Sequence, residues 1–496
     1  MARLLLEKDE LEIYHPLALE RGQVTVGATM VGGLGSAEHK QDGEGPLRLC
    51  VDCTQTMKMS VVTGIQRVVR NLVKHGRVAA HRRGVELLPI QFTGRFFELA
   101  PLSDQGELKI PERRIPNGAI ERFGHRLKKI LVGRSVRRQL SKLQGFFARK
   151  QSNESRFKFR SSDILLLPDS SWSEPMWTEI DKAIEQGVSL GVLQHDFIPL
   201  HYPELVSSES TAIFERWVAE SLGRADFVLG VSETIAGECR EKLRKLGRKD
   251  VAENRVRACL NGSNFKPGTS TALQRSEIVR FIDGAPDGPY LTVGTIEPRK
   301  NQGLLADIFD GVFHAVPDAR FLIAGIVGWD GKTIADRIRR HPRYGKNILL
   351  VTDLSDAELT YAYQRAKAVV FPSLAEGFGL PIAESIARGT PVFASHIPVH
   401  QEIGGAYCAY FDPRDSRSLT HLLVEYSKGG KFPAVWPPVD FRLPTWQESA
   451  EKVVATSLEM ARTRHSERSE SHDRKKHHSI RGMHASPATR IEKIPS

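Results

Sequence analysis

The sequence predicts an α/β protein made of two doubly wound parallel domains facing each other across a cleft. Three observations carry that expectation. Short apolar runs rich in β-branched residues alternate with helix-like stretches, the pattern of parallel sheets. The alternation runs through twice, and the two sets meet near 265–288, a polar stretch punctuated by Gly and Pro. The chain has 496 residues, too many for one ordinary domain.

In the first half, LRLCVDCT (47–54), VELLPIQF (85–92), DILLLPD (163–169), SLGVLQHD (189–196) and DFVLGVS (226–232) read as strands. Each is a short apolar run, too brief for a helix. TGIQRVVRNLVKHG (63–76), a segment ending near Gly187, and 211–222 read as helices between them. The second half repeats the pattern. Its strands are PYLTVGT (289–295), RFLIAGI (320–326), NILLVTD (347–353), AVVFPS (368–373) and PVFAS (391–395); NQGLLADIFDGVFHAV (301–316) and AELTYAYQRA (357–366) are helical. The expected plan is an N-terminal extension (1–46), a first domain (47–270), a second (271–440), a C-terminal crossover helix (441–461) and a disordered basic tail (462–496).

Composition narrows the function classes. No apolar run approaches the ~20 residues of a membrane span, and the N-terminus lacks a signal-peptide core, so a cytoplasmic location is expected. Five cysteines, at 50, 53, 239, 259 and 408, are an odd and scattered set. Cys50 and Cys53 form a lone CxxC in a strand-like setting, which favours buried thiols over a metal or redox site. The histidines of the tail lack metal-ligand spacing, and no metal is expected. The net charge of +11 is concentrated: residues 113–160 hold fifteen Lys/Arg against two Glu. Apolar residues recur there at helical spacing, so the stretch is either a helix lying on an anionic membrane surface or an ordinary helix with a solvated face. No nucleic-acid-binding motif accompanies the charge, and no nucleic-acid partner is expected.

The densest chemistry lies in AEGFGLPIAES (375–385). A strand precedes it, and Pro381 and Gly389 mark the start and stop of a helix after it. Glu376, Gly377, Phe378 and Gly379 then form a strand-to-helix loop, with Glu384 about one turn into the helix. Glycines let backbone amides approach a phosphate at a helix N-terminus, and a carboxylate one turn further in suits a sugar diol. The competing reading is two solvated glutamates.

EGFGLPIAE, VGTIEPRKNQGLL (293–305), LSDAELTYAYQRAKAVVFPS and GTPVFAS together resemble glycosyltransferase family 4. SHIPVHQEIGG, YFDPRD, TWQESA, TGIQRVVRNL and LQHDFIPLHYPE extend the resemblance from about residue 47 to 461. The resemblance implies the GT-B fold, two Rossmann-like domains, and retaining transfer from a nucleoside-diphosphate sugar held mainly by the second domain, with no cofactor and no metal. Glu384 would bond the ribose hydroxyls. Glu376, with the amides of Gly377, Phe378, Gly379 and Leu380, would hold the donor sugar. Lys300 aligns with the family's phosphate-binding lysine. The family's usual arginine after the strand-ending glycine is replaced by Thr295, and Arg299 supplies the second cation from another place; the competing reading is a solvated charge pair. Gly64 would admit the diphosphate at a helix start, or serves as a turn glycine. His195 would contact the donor sugar, and Asp196 either contacts the acceptor or caps the next turn. Arg67 and Arg70 reach an acidic acceptor or water.

The function expected is therefore hexose transfer, with mannose favoured, to a glycan or lipid-linked acceptor in bacterial surface-polysaccharide synthesis, in peripheral contact with the membrane. Two other classes stay open. One is a sugar-nucleotide epimerase or phosphorylase on the same fold, which would release no glycoside or need inorganic phosphate. The other is a non-catalytic basic protein, binding anionic lipid or DNA with steep salt dependence.

Overall fold

The computed structural model describes residues 45–59, 63–110, 155–263, 275–436 and 442–463. The expected N-terminal extension, nearly all of the basic stretch and the tail from 464 onward lie outside them.

Two sheets form. The first takes β1 (Arg48–Asp52), β2 (Glu86–Phe92), β3 (Phe97–Leu99), β4 (Ile164–Leu167), β5 (Ser189–Gln194), β6 (Phe227–Gly230) and β7 (Val256–Ala258), in the order β3-β2-β1-β4-β5-β6-β7. The second takes β8 (Tyr290–Val293), β9 (Phe321–Ala324), β10 (Ile348–Val351), β11 (Ala368–Phe371), β12 (Val392–Ser395) and β13 (Cys408–Phe411), in the order β10-β9-β8-β11-β12-β13. Every pairing is parallel except β2 with β3. The strands β1, β4, β5, β6, β11 and β12 are buried along their whole length, as sheets covered by helices on both faces require. Each sheet reverses its winding direction once, between β1 and β4 in the first and between β8 and β11 in the second. Open α/β sheets bind ligands outside the carboxyl ends of the strands at such points.

Five helices position the site and tie the sheets: α1 (Gly64–His81), α2 (Glu233–Lys245), α3 (Leu380–Ile386), α4 (Pro398–Gly404) and α5 (446–463). The helix α5 follows the second sheet but packs on the first. There Ser449 Oγ donates to the Leu260 carbonyl (2.7 Å) and Arg255 to the Met460 carbonyl (3.1 Å). The two sheets are tied more directly at the N-terminus of α2. Ser232 caps the helix and also donates to the Gly377 carbonyl at 3.0 Å. From the other side, the Glu402 carboxylate accepts from the backbone N–H groups of Glu233 (2.6 Å) and Thr234 (2.8 Å). A carboxylate at a helix N-terminus satisfies free donors and favours the dipole.

All five cysteines are buried and free, and burial pushes the thiols of Cys50 and Cys53 well up. At the reversal point of the first sheet, Asp52 and Asp169 are also buried. Asp52 accepts from Thr54 and Ser171, and Asp169 from the Thr56 and Ser170 amides. Burial raises Asp52, and burial together with the Asp52 charge pushes Asp169 up to about 7. Both folded values exceed the unfolded value of about 3.9. Their contribution is therefore complete below about pH 4 and declines at higher pH, that of Asp169 as pH rises through about 7. Glu238, raised to about 7 by burial, acts in the same sense. Above about pH 6.5, where the histidines lowered by burial no longer act in the opposite sense, the midpoint of thermal unfolding is expected to fall towards pH 8, and Asp169→Asn to flatten that slope; a midpoint rising over this range would contradict the assignment.

Candidate active site

The site assembles at the reversal point of the second sheet, where the loops after β8 and β11 meet. After β11 the chain runs through Ser373 to Glu376, and the Leu374 amide donates to the Arg299 carbonyl at 2.9 Å, joining the two loops. Gly379 stands at φ +90°, a left-handed conformation that glycine adopts freely, and turns the chain into α3. Gly377 is needed for a different reason: a Cβ there would lie 1.8 Å from the His195 carbonyl oxygen of the facing half. Phe378 is buried, and Leu380 opens α3 with Pro381 behind it.

Lys300 and Arg299 converge on Glu376. Lys300 Nζ donates to Oε1 at 2.5 Å, and Arg299 Nη1 donates to Oε2 at 3.1 Å. Arg299 also reaches the Ala375 carbonyl (3.1 Å) and Glu297 (2.6 Å). These three side chains are largely covered, at 9% exposure for Glu376, 14% for Lys300 and 21% for Arg299. Burial opposes the carboxylate, but Lys300 and Arg299 outweigh it and hold the Glu376 carboxyl down to about 2. Burial lowers Lys300 despite the attraction of Glu376. The pair is therefore not a solvated surface group. Thr295 lies behind it, its carbonyl accepting from Gln302 at 2.9 Å.

Glu384 is 3% exposed and has both oxygens engaged: Arg67 Nη1 donates to Oε1 at 2.7 Å and the Tyr363 hydroxyl to Oε2 at 2.9 Å. The sequence puts Arg67 on the acceptor side; the structure places it instead on the carboxylate expected to meet ribose. It projects from α1, whose first residue, Gly64, has open space around it and makes no close approach. Arg388 stacks over the Tyr363 ring, 4.8 Å from its centroid.

From the first sheet, His195 follows β5 and its Nε2 donates to the Pro168 carbonyl at 2.7 Å. A carbonyl only accepts, so Nδ1 carries the lone pair. Burial lowers this histidine, leaving it neutral. Asp196 caps the next turn through the Ile198 amide (3.0 Å), the second of the two roles expected for it. The structure thus brings Glu376, Lys300, Arg299 and Gly377 together with the His195 backbone, and Arg67 with Glu384. Sequence reasoning missed Tyr363, Arg388, Glu297 and Asn301. Only Asn301 left a signal: it directly follows the lysine, adopts φ +56° and bonds the Pro413 carbonyl at 2.9 Å.

Residues 281–436, which hold the second sheet with Lys300, Glu376 and Glu384, match the family described as glycosyl transferases group 1. The chain is 26% identical over 301 residues to the serotype-specific mannosyltransferase WbdA of Escherichia coli, covering 59% of this chain and 37% of that protein. It is 29% identical over 236 residues to the O-antigen chain mannosyltransferase B of Escherichia coli, covering 46% of this chain and 59% of the relative. The chain thus spans a little over a third of WbdA and under two thirds of the second relative. Among solved structures, a sucrose-phosphate synthase from Thermosynechococcus elongatus superposes with a TM-score of 0.52 at 18% identity, covering 85% of this chain and 99% of that one. The N-terminal domain of Candida albicans trehalose-6-phosphate phosphatase gives 0.52 at 15% identity, covering 86% and 98%. These two likenesses concern the fold. Over residues 281–436 the chain is thus similar to group 1 glycosyltransferases, and its two sheets form a GT-B fold.

Proposed function

We propose that the protein is a retaining glycosyltransferase that moves a hexose, with mannose favoured, from a nucleoside-diphosphate sugar to a glycan acceptor in bacterial polysaccharide synthesis. The observation that carries this reading is the largely covered group Glu376–Lys300–Arg299, with the buried Glu384 one turn into the following helix, at the point of the second sheet where nucleotides bind in such folds. Mannose and a surface-polysaccharide product are supported by the names of the two mannosyltransferase relatives. A lipid-linked acceptor, held at the cytoplasmic face of a membrane, fits the basic stretch of the sequence. No described helix is long and apolar enough to cross a membrane.

The chemistry follows from charge. As the bond from the anomeric carbon to the diphosphate breaks, negative charge grows on the leaving phosphate. Lys300 and Arg299 are fixed where they stabilise it, without a metal ion being needed. Glu376 holds the sugar hydroxyls, and the departing phosphate oxygen takes the acceptor proton on the same face. Closure of the two halves over Gly377 keeps out water, which would otherwise hydrolyse the donor. An epimerase or phosphorylase would use the same phosphate contacts, but neither accounts for the mannosyltransferase relatives.

Calorimetric titration with GDP, UDP and dTDP tests the reading. Wild-type protein is expected to bind one of them saturably, and Glu384→Ala to weaken that binding by about tenfold or more through loss of the ribose bonds. Arg67→Ala is expected to move affinity the other way, because the ribose no longer competes with a guanidinium for Oε1. No binding of any of the three would sink the transferase reading. Weaker binding by Arg67→Ala would place the arginine on the nucleotide itself.

A further inference from the structure

Resting on the nucleotide-sugar reading, we propose that His400, with Ser373 just beyond the adjoining strand, is a specificity-determining residue that accepts a hydrogen bond from a hydroxyl of the donor sugar. Both side chains are fully buried. His400 Nδ1 lies 3.0 Å from the Ser395 carbonyl oxygen, which only accepts; the ring proton therefore sits on Nδ1, and Nε2 offers a lone pair. That Nε2 has no hydrogen-bond partner among the described residues, and neither has Ser373 Oγ. Burial holds the imidazole down at about 4, so no second proton fills the vacant position at neutral pH. Proteins keep few buried polar atoms unpaired, and two such atoms, one just beyond β11 and one tethered to the end of the neighbouring β12, call for a missing group.

Their place says which group. Ser373 lies just beyond the end of β11, and His400 is tethered to the end of β12, the neighbouring strand, on which Ala394 faces Phe371. The imidazole packs on the Phe371 ring at 4.9 Å between centroids, and Lys300 Nζ lies 5.3 Å from the centroid of the same ring. A Cβ on Gly379 would stand 3.5 Å from His400 Cδ2, the atom bonded to Nε2. His400 Nε2 therefore lies next to the Gly379 end of the loop that carries Glu376. One chemical group suits both: a hydroxyl donates to Nε2 and accepts from Ser373 Oγ–H. A phosphate has no proton to give Nε2, and an ammonium has no lone pair for the serine.

The test compares two ligands that differ only by the sugar. Wild-type protein, His400→Leu and Ser373→Ala are titrated with GDP and GDP-mannose, and with UDP and UDP-glucose. All three proteins are expected to bind the nucleoside diphosphate alike. His400→Leu should weaken the nucleotide sugar by about tenfold, and Ser373→Ala by about threefold. Thermal unfolding of His400→Leu is expected to change little, because the loss of the Nδ1–H bond to the Ser395 carbonyl is offset by removal of the unpaired Nε2. Unchanged affinity for the nucleotide sugar would overturn the proposal, leaving a bound water as the group. Equal weakening of diphosphate and sugar would also overturn it, pointing to packing. Should His400→Leu fail to fold, Ser373→Ala carries the same comparison. If the wild type binds neither class of ligand, the transferase reading falls first and takes this proposal with it.

Discussion

Lys300→Ala is expected to cut the rate of nucleoside-diphosphate release from the nucleotide sugar by roughly a hundred- to a thousandfold, the range for losing one fixed group that meets developing charge. The side chain is only 14% exposed and lies over the Phe371 ring, so its charge acts in a medium where fields are weakly screened. Its loss has a second effect. Glu376 is held at about 2 largely by Lys300 and then Arg299; with the lysine gone, burial wins ground and the carboxyl titrates higher. The rate loss should therefore appear mainly in kcat, with a smaller change in the affinity for nucleotide alone. A variant with wild-type kcat would remove Lys300 from the leaving-group chemistry, whatever its effect on KM.

Gly377→Ala is expected to be nearly as damaging for a geometric reason. The new Cβ would stand 1.8 Å from the His195 carbonyl oxygen, 2.9 Å from its carbon and 3.1 Å from Asp196 Cβ. The first two are backbone atoms, so no rotamer change relieves the clash. Real Cβ contacts essentially never fall below 3.0 Å, so the loop and the facing strand end must part by at least 3.0 − 1.8 = 1.2 Å. A displacement of about 1 Å in a reacting constellation can cost a hundredfold. Neither sheet needs to unfold to make that room, and the Ser232 bond to the Gly377 carbonyl is the contact most exposed to it. The expected result is a rate lowered by about two orders of magnitude with little change in thermal unfolding. Wild-type turnover would show that the closed arrangement of these loops is not the reacting one.

The elements that the sequence announces are those whose signal is local. Runs such as Ile164–Leu167 and Ala368–Phe371 are buried on both faces, and an uninterrupted apolar stretch says so. Three strands escape such a reading. Phe97–Leu99 is a three-residue antiparallel edge, Val256–Ala258 carries an arginine at its centre, and Cys408–Phe411 holds a half-exposed tyrosine; none has the length or pattern of a buried run. The helix Glu233–Lys245 escapes it too, because seven of its thirteen residues are charged and its apolar face is thin. The site divides the same way. Glu376, Lys300 and Glu384 are legible because their loops carry a family's spacing. Their partners are set by tertiary packing: Arg67 and Glu384 stand 317 residues apart, and Tyr363 reads locally as another apolar helix position. His400 belongs to a stretch that resembles the family, yet only its burial and its vacant nitrogen single it out.

The return of α5 to the first sheet has a consequence for how the chain is born. Val68, Leu72 and Leu193 share a lining with Trp446, Ala450 and Val453, and the Ser263 amide bonds the Pro444 carbonyl at 2.9 Å. Between Ser263 and the end of α5 lie 463 − 263 = 200 residues. At roughly 5–20 residues per second, the ribosome takes about 10–40 s to deliver them. For that interval the first sheet is complete in strands but bare on the face that α5 covers, while the second sheet emerges and folds beside it. The nascent chain thus carries an apolar surface that α5 covers only once it has emerged.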